Sequence, residues 1–275
     1  MDSPLVSVCI PVHNVTRYLA QAIRSVLDQS YANIELVIAN GASQVEPRHQ
    51  IGEIVNQNTD SRIQIIHNPG TFSMVENWNS AVAKARGAYL KLLCADDVLM
   101  PDCLQRQVGA MREFPNIVLA SGARVIINRA GKRLFIRNGL GSTGVYSGKE
   151  SIRRCLFSGT NIIGDPVNVL WRRSAMERVG SFDPEILYCT DVEFWLRLLG
   201  VGDLYFDERP VGFYRIHPKA AAKSLAKITV ADFVRTAQRQ AASGSVTLPP
   251  WRLKLIRLKS QWKNRFRQAI YNWLG

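Results

Sequence analysis

Within the first hundred residues, short runs of apolar and β-forming residues recur four times, at 6–12, 34–39, 63–66 and 89–93, and a stretch with helical spacing separates each run from the next. Leu19, Ile23, Val26 and Leu27 share one helical face in the first intervening stretch (16–29, with Thr16 as its cap), and 46–56 is read as a second helix. In the third, 72–85, Met74, Trp78, Ala81, Val82 and Ala85 form such a face, closed by Arg86-Gly87. Strands joined by helices of about 10 to 15 residues lie parallel with right-handed crossovers, so the alternation predicts an α/β chain built on a doubly wound, mostly parallel sheet. Its carboxyl edge collects His13-Asn14, the turn Asn40-Gly-Ala-Ser43, Asn68-Pro-Gly70 and Asp96-Asp97. Open α/β sheets bind ligands at that edge.

Asp96 and Asp97 are the sharpest feature of the edge. Adjacent carboxylates at a strand end repel each other and lose hydration, and a hard divalent cation against them would offset both. A second reading is open: the pair caps the helix that begins at Pro101, because Asp ahead of a helix satisfies free backbone amides. No Gly-x-Gly-x-x-Gly and no Walker A run is present, which disfavours a dinucleotide fold and a P-loop ATPase. A nucleotidyltransferase is disfavoured as well, since Pro11-Val-His-Asn14 has no glycine for a phosphate loop.

Beyond Asp102 the pattern changes. Residues 103–112 read as a helix, 117–120 as a strand, and 124–128 with 132–136 as a hairpin around Arg129-Ala-Gly131. Gly139-Leu-Gly-Ser-Thr-Gly144 is a loop, 168–171 a strand, 173–179 a short helix and Gly180-Ser-Phe-Asp-Pro184 a turn. In 190–199 an apolar stripe of Val192, Trp195, Leu196 and Leu199 leaves Asp191 in the first helical turn. There the helix dipole favours the ionised carboxylate, which suits either a general base or an N-cap. Glu193 and Arg197, four apart, form an ion pair on the helix face.

The net charge of +13 implies a phosphate-bearing partner: a nucleotide, a nucleic acid or an anionic membrane surface. Residues 251–275, from Trp251 to Gly275, carry seven Lys or Arg and no acid, about half of that charge. Trp251, Leu255, Leu258, Trp262, Phe266, Ala269 and Trp273 lie on one face of this predicted tail helix, which fits an anionic membrane or a stripe packed on the body of the protein. Five scattered cysteines read as reduced thiols, with no zinc spacing. No basic-then-apolar leader opens the chain and no run reaches the roughly 18 apolar residues of a membrane span, so the expected location is cytoplasmic.

Taken together, the motifs resemble a family 2 glycosyltransferase, an inverting enzyme with the GT-A nucleotide-diphospho-sugar transferase fold. The matching pieces are Val6-Ser-Val-Cys-Ile-Pro-Val-His-Asn14; Ala22-Ile-Arg-Ser-Val-Leu-Asp-Gln-Ser-Tyr31; Glu35-Leu-Val-Ile38; Asn77-Trp-Asn79; Ala85-Arg-Gly-Ala-Tyr-Leu-Lys91; Ala95-Asp-Asp-Val-Leu-Met-Pro-Asp102; Trp171-Arg-Arg-Ser174; Val179-Gly-Ser-Phe-Asp183; Asp191-Val-Glu-Phe-Trp-Leu-Arg197; and Tyr214-Arg-Ile-His217. The resemblance implies that Asp97, Asp96 and His217 hold Mg²⁺ or Mn²⁺ on the diphosphate of a nucleotide-sugar donor, and that Asp191 is the catalytic base. It puts Pro11, His13, Asn14, Asn40, Ser43, Asn77, Asp96 and Arg86 around the donor. Residues 1–218 would form the transferase domain, with a nucleotide half to about 102 and an acceptor half from 103, and 219–275 a basic helical extension. The acceptor would be a sugar or lipid-linked glycan of bacterial surface polysaccharide synthesis, reached from the inner face of the cell membrane, and no nucleic acid is expected. Two positions depart from the family pattern: the turn after the second strand has no carboxylate, and Cys94 stands where a further Asp is common, which implies weaker metal binding. The alternative is a GT-A-like module that does not catalyse and binds membrane or nucleic acid through its basic tail.

Overall fold

The computed structural model describes residues 3–13, 17–41, 45–57, 60–70, 72–217 and 228–274. The expected parallel unit is present as β1 (Val6–Val12), α1 (Leu19–Leu27), β2 (Ile34–Asn40), α2 (Val45–Asn56), β3 (Ile63–His67), α3 (Met74–Lys84) and β4 (Tyr89–Leu92). β2 and β4 are buried along their whole length and β1 at every residue but Pro11, as near-continuous apolar strands covered on both faces should be. The pairing is parallel throughout this unit, in the order β3-β2-β1-β4. Val12 opposes Asn40 and Asn40 opposes His67, so the strand ends are level and form one rim.

The second half continues the same sheet through β5 (Val98–Leu99), α4 (Cys103–Glu113), β6 (Ile117–Ile127), β7 (Arg133–Arg137), β8 (Gly144–Tyr146), α5 (Gly148–Ser158), β9 (Leu170–Arg172), α6 (Arg173–Val179), α7 (Thr190–Leu199) and β10 (Asp203–Arg215). β9 runs antiparallel between β4 and β6, and β10 pairs parallel with β6. β6 is one buried strand of 11 residues where the sequence suggested two pieces. Arg124, read as the first residue of the second piece, lies inside the continuous strand, 1% exposed, with its charge answered by Asp165. The expected hairpin forms, with Ile126 opposite Phe135. Gly131 supplies the left-handed residue of its turn (φ +85°), and the Asn128 side chain accepts from the amides of Ala130 and Lys132. β10 was not foreseen, because Asp207, Glu208, Arg209 and Pro210 interrupt its alternation and its register shifts at that point.

A tight aromatic group seats α7 on the sheet. Phe182 and Phe194 have ring centroids 4.4 Å apart, and Trp171 lies 5.3 Å from Trp195. Such pairs contribute about 0.5 to 1.5 kcal/mol each beyond their buried area. Phe233 of α8 (Thr229–Ala242) and Ile256 of α9 (Pro250–Leu274) join the same apolar cluster. α9 is the predicted tail helix, and it docks through Leu253, Ile256 and Ser260 against α5 and α8. The contact with α5 depends on Gly159, whose φ is +72° and where a Cβ would come 2.7 Å from that of Lys259. Lys259 Nζ donates to the Phe157 carbonyl at 3.0 Å beside it. The other face of α9 stays open: Trp251, Leu255, Leu258, Trp262 and Phe266 are between 46% and 63% exposed. Among the described residues no helix is long and apolar enough to cross a membrane.

Candidate functional site

A cavity of about 570 Å³ opens at the carboxyl rim of the parallel strands. Its walls come from Pro11 in β1 and His13 just after it, the start of α3, the segment after β4, the 159–166 loop, the start of α7, Tyr214 and His217, and the inner edge of α9. Asp96, Asp97, Asp165 and Asp191 all line it.

The segment that leaves β4 buries Asp97 to 1% exposure, and Asp97 Oδ1 accepts the Arg215 amide at 2.9 Å. Oδ2 of Asp97 is buried with no hydrogen-bond partner among the described residues. Burial pushes this carboxyl well above the usual range and Asp96 pushes it further, with the Arg215 amide opposing them. Asp96 is half-buried and its Oδ2 lies 2.8 Å from His217 Nε2. Arg215 braces the pair: its Nε donates to the Asp96 carbonyl at 2.8 Å, and its guanidinium lies 4.3 Å from the Tyr18 ring centroid. Cys94, Asp96 and Asp97 each offer an atom within 4.8 Å of the others. Burial, followed by the charges of Asp97 and Asp96, raises the Cys94 thiol well above its ordinary value, so it stays protonated and the carboxylates are the ligands on offer. An oxygen-donor set with an unsatisfied carboxylate oxygen fits a hard divalent cation.

Asp191 sits in the first turn of α7, where its Oδ1 accepts the Val192 amide at 2.8 Å and its Oδ2 accepts Asn161 Nδ2 at 3.0 Å. Burial and then the neighbouring charge of Asp165 push it up to about 7, against the pull of the Val192 amide and Arg124. Asp165 in turn is held by Arg124, Nε to Oδ2 at 2.6 Å. The loop that carries Asn161 and Asp165 is pinned by Trp195 Nε1 donating to the Gly164 carbonyl at 3.1 Å, and by Asn161 Oδ1 accepting the Ile163 and Gly164 amides. A carboxylate whose pKa lies near neutrality and which opens into a cavity has the properties of a general base. Glu193 and Arg197 form the expected pair at 2.8 Å, away from the cavity.

The donor positions named from the sequence fall into three groups. Pro11, His13, Asn77 and Asp96 line the cavity. Within it Asn77 is tied into the protein, its amide nitrogen donating to the Val12 carbonyl at 3.1 Å and its oxygen accepting from Asn68 at 2.8 Å, so it shapes the rim. Asn40 is fully buried beneath the rim and Arg86 is remote from it, and neither lines the cavity. The sequence reading placed Arg86 beside the donor; it stands instead ahead of β4, at the amino edge of the sheet, where it pairs with Glu35 at 2.8 Å. The reason is topological, because residues that precede a parallel strand lie at the edge opposite its end. Asn14 and Ser43 lie outside the described residues. Asn161, Asp165, Arg124 and Arg215 were missed. An arginine within a buried strand is itself a signal, since it requires a carboxylate nearby, and Gly164-Asp-Pro166 marks a turn able to deliver one.

Comparison with known proteins bears on family and fold. The family described as "Glycosyl transferase family 2" matches residues 7–180. An uncharacterized glycosyltransferase of Rickettsia prowazekii, RP339, is 27% identical over 219 residues, which cover 78% of this chain and 65% of that protein. One from Haemophilus influenzae is 31% identical over 134 residues, covering 49% of this chain and 52% of its own. The chain thus spans somewhat less than two thirds of the length of these relatives. Among solved structures, S. aureus TarS 1-349 in complex with UDP-GlcNAc has a TM-score of 0.66 at 13% identity, covering 94% of this chain and 72% of TarS. The mannosyltransferase PcManGT from Pyrobaculum calidifontis, in complex with GDP-Man and Mn²⁺, has a TM-score of 0.64 at 15% identity, covering 94% and 69%. Likeness at such identities is one of fold.

Proposed function

The chain belongs to glycosyl transferase family 2 and has the GT-A fold, and from that premise we propose that it is an inverting, metal-dependent transferase moving a sugar from a nucleotide-diphosphate donor to an acceptor hydroxyl. The observation that carries this reading is that the strand-end pair Asp96–Asp97 and the near-neutral Asp191 line one cavity. Both solved relatives named above hold a nucleotide-sugar, one of them with Mn²⁺.

Asp97 and Asp96 would hold Mg²⁺ or Mn²⁺ together with His217, which lines the same cavity with its Nε2 2.8 Å from Asp96 Oδ2. A cation there neutralises the charge on a departing nucleoside diphosphate. The donor base and ribose lie against Pro11 and His13, under the wall formed by Phe72, Met74 and Trp78. Asp191 takes the proton of the acceptor hydroxyl while that oxygen bonds to the anomeric carbon. The bond from the anomeric carbon to the diphosphate oxygen breaks on the opposite face, so one displacement inverts the centre. Asn161 donates to Asp191 Oδ2 and holds it in position. Residues 1–218 carry this chemistry and 219–275 form an extension, of which α8 and α9 pack against the sheet-bearing body.

The acceptor is read as a sugar or lipid-linked glycan of surface polysaccharide synthesis, met at the inner face of the cell membrane. Support for the membrane comes from the open apolar face of α9 and its seven basic residues without an acid. The test of the chemistry is nucleoside diphosphate release from pH 5.5 to 9. Wild type should show an alkaline plateau above a limb near pH 7, and Asp191→Asn should release it at a rate lower by roughly 10³-fold or more while binding donor normally. Turnover within about tenfold of wild type in Asp191→Asn would remove that residue from the base role.

A further inference from the structure

The carboxylates of the cavity come from the body of the protein, but its Lys and Arg come from α9 alone among the described residues: Lys263 and Arg267. Arg267 is partly buried beside Tyr188, its guanidinium 5.1 Å from the ring centroid, and one of its terminal nitrogens donates to Asn264 Oδ1 at 2.9 Å. Among the described residues its Nε is buried with no hydrogen-bond partner, and no carboxylate pairs with it. A guanidinium in a cavity wall with an unused donor is poised for an anion. Tyr188 and Cys189 immediately precede the turn that carries Asp191, so this cation belongs to the side of the cavity where an acceptor hydroxyl must arrive. Lys263 stands at the rim, exposed, with its ammonium 5.5 Å from the ring centroid of Trp262, which is on the open face of α9. The helix is held in register by the Gly159 contact and the Lys259 hydrogen bond, so both cations are presented by a fixed element.

We propose that Lys263 and Arg267 form a phosphate subsite on the base side of the cavity, and that the acceptor is a phosphate-bearing lipid whose chain lies along the Trp262 face of α9. This rests on the transferase reading and names the acceptor class for it. A phosphate at this place could also belong to the donor diphosphate, and the experiment separates the two sources. The first arm measures geranyl phosphate and geraniol binding by calorimetry in EDTA. Wild type should bind the phosphate ester at least tenfold tighter than the alcohol, and Lys263→Gln/Arg267→Gln should reduce that preference to less than twofold. Arg265→Gln, an exposed charge outside the cavity, should leave it intact. The second arm measures UDP, GDP and dTDP binding with Mn²⁺, where the double variant should stay within twofold of wild type. Lys263→Gln alone, at an exposed position, should lose about threefold in geranyl phosphate affinity and covers the case in which the double variant does not fold. Equal binding of ester and alcohol by wild type overturns the subsite, as does a variant that loses nucleotide affinity by the same factor as geranyl phosphate, which would assign the cations to the donor. Should wild type bind no nucleotide with Mn²⁺, the transferase reading fails while the first arm still judges the subsite.

Discussion

The two sides of the cavity are built on different principles. On the donor side, consecutive parallel strands in level register bring His13 and Asp96 to one rim, so their meeting follows from the strand order alone. On the base side, Arg124, Asn161, Asp165, Asp191 and Arg267 come from a strand, a loop and two helices, brought together by packing around Trp171 and Trp195. The first kind of site is fixed by local periodicity. The second depends on buried pairs and close contacts, and is correspondingly easier to disturb from a distance.

The largest expected effect is on the base side. Asp191→Asn should lower turnover by roughly 10³-fold or more, within the range for a lost general base, with donor affinity unchanged. It should also stabilise the fold at alkaline pH. Because the folded pKa is raised from 3.8 to about 7, the stability present below pH 4 is lost as pH rises through 7. A shift of about three units corresponds to an upper bound of roughly 4 kcal/mol. Denaturant melts at pH 8.5 and pH 4 check this: the variant should exceed wild type at the first and match it at the second.

On the donor side, Asp97→Asn should weaken metal-dependent nucleotide binding by about 100-fold while transfer by the remaining bound fraction keeps its pH limb, as calorimetry with Mn²⁺ and a pH–rate profile would show. Asp165→Asn should do the reverse. Removing the charge that raises Asp191 moves the limb of the profile to lower pH, by about one unit, and leaves nucleotide affinity within twofold. A shift to higher pH would show that Asp165 acts on Asp191 by something other than its charge. The smallest effect is expected at Arg86, whose partner Glu35 is buried at the far edge of the sheet. Arg86→Ala should cost about 1 kcal/mol in a denaturant melt and leave donor affinity unchanged, whereas loss of donor binding would return Arg86 to the site.

The same contrast explains what could be read from the sequence. The strand–helix period, the shared carboxyl rim, Asp96–Asp97 and the position of Asp191 in a first helical turn were all legible, because each depends on neighbours within about a dozen residues. Arg86 was misplaced because a motif residue was taken as a site residue without asking which end of its strand it occupies. Asp165 and Arg124 escaped because their significance is a pairing across some forty residues, visible only as a charge inside a buried strand. The tail shows the limit most clearly. Its apolar stripe was read correctly, and yet the helix packs through the opposite strip, Leu253, Ile256 and Ser260, where a small glycine on another helix lets it approach.

The central claim is that the rim carboxylates bind a nucleotide-sugar through a divalent cation. The most direct measurement is the melting temperature against UDP-, GDP- and dTDP-sugars, each with Mn²⁺ and with EDTA. A ligand at 100 times its Kd adds about 2.7 kcal/mol of stability, so one nucleotide class should raise the melting temperature by several degrees with Mn²⁺, and neither EDTA nor Asp97→Asn should preserve the rise. An equal rise in EDTA, or none with any donor, would contradict the account.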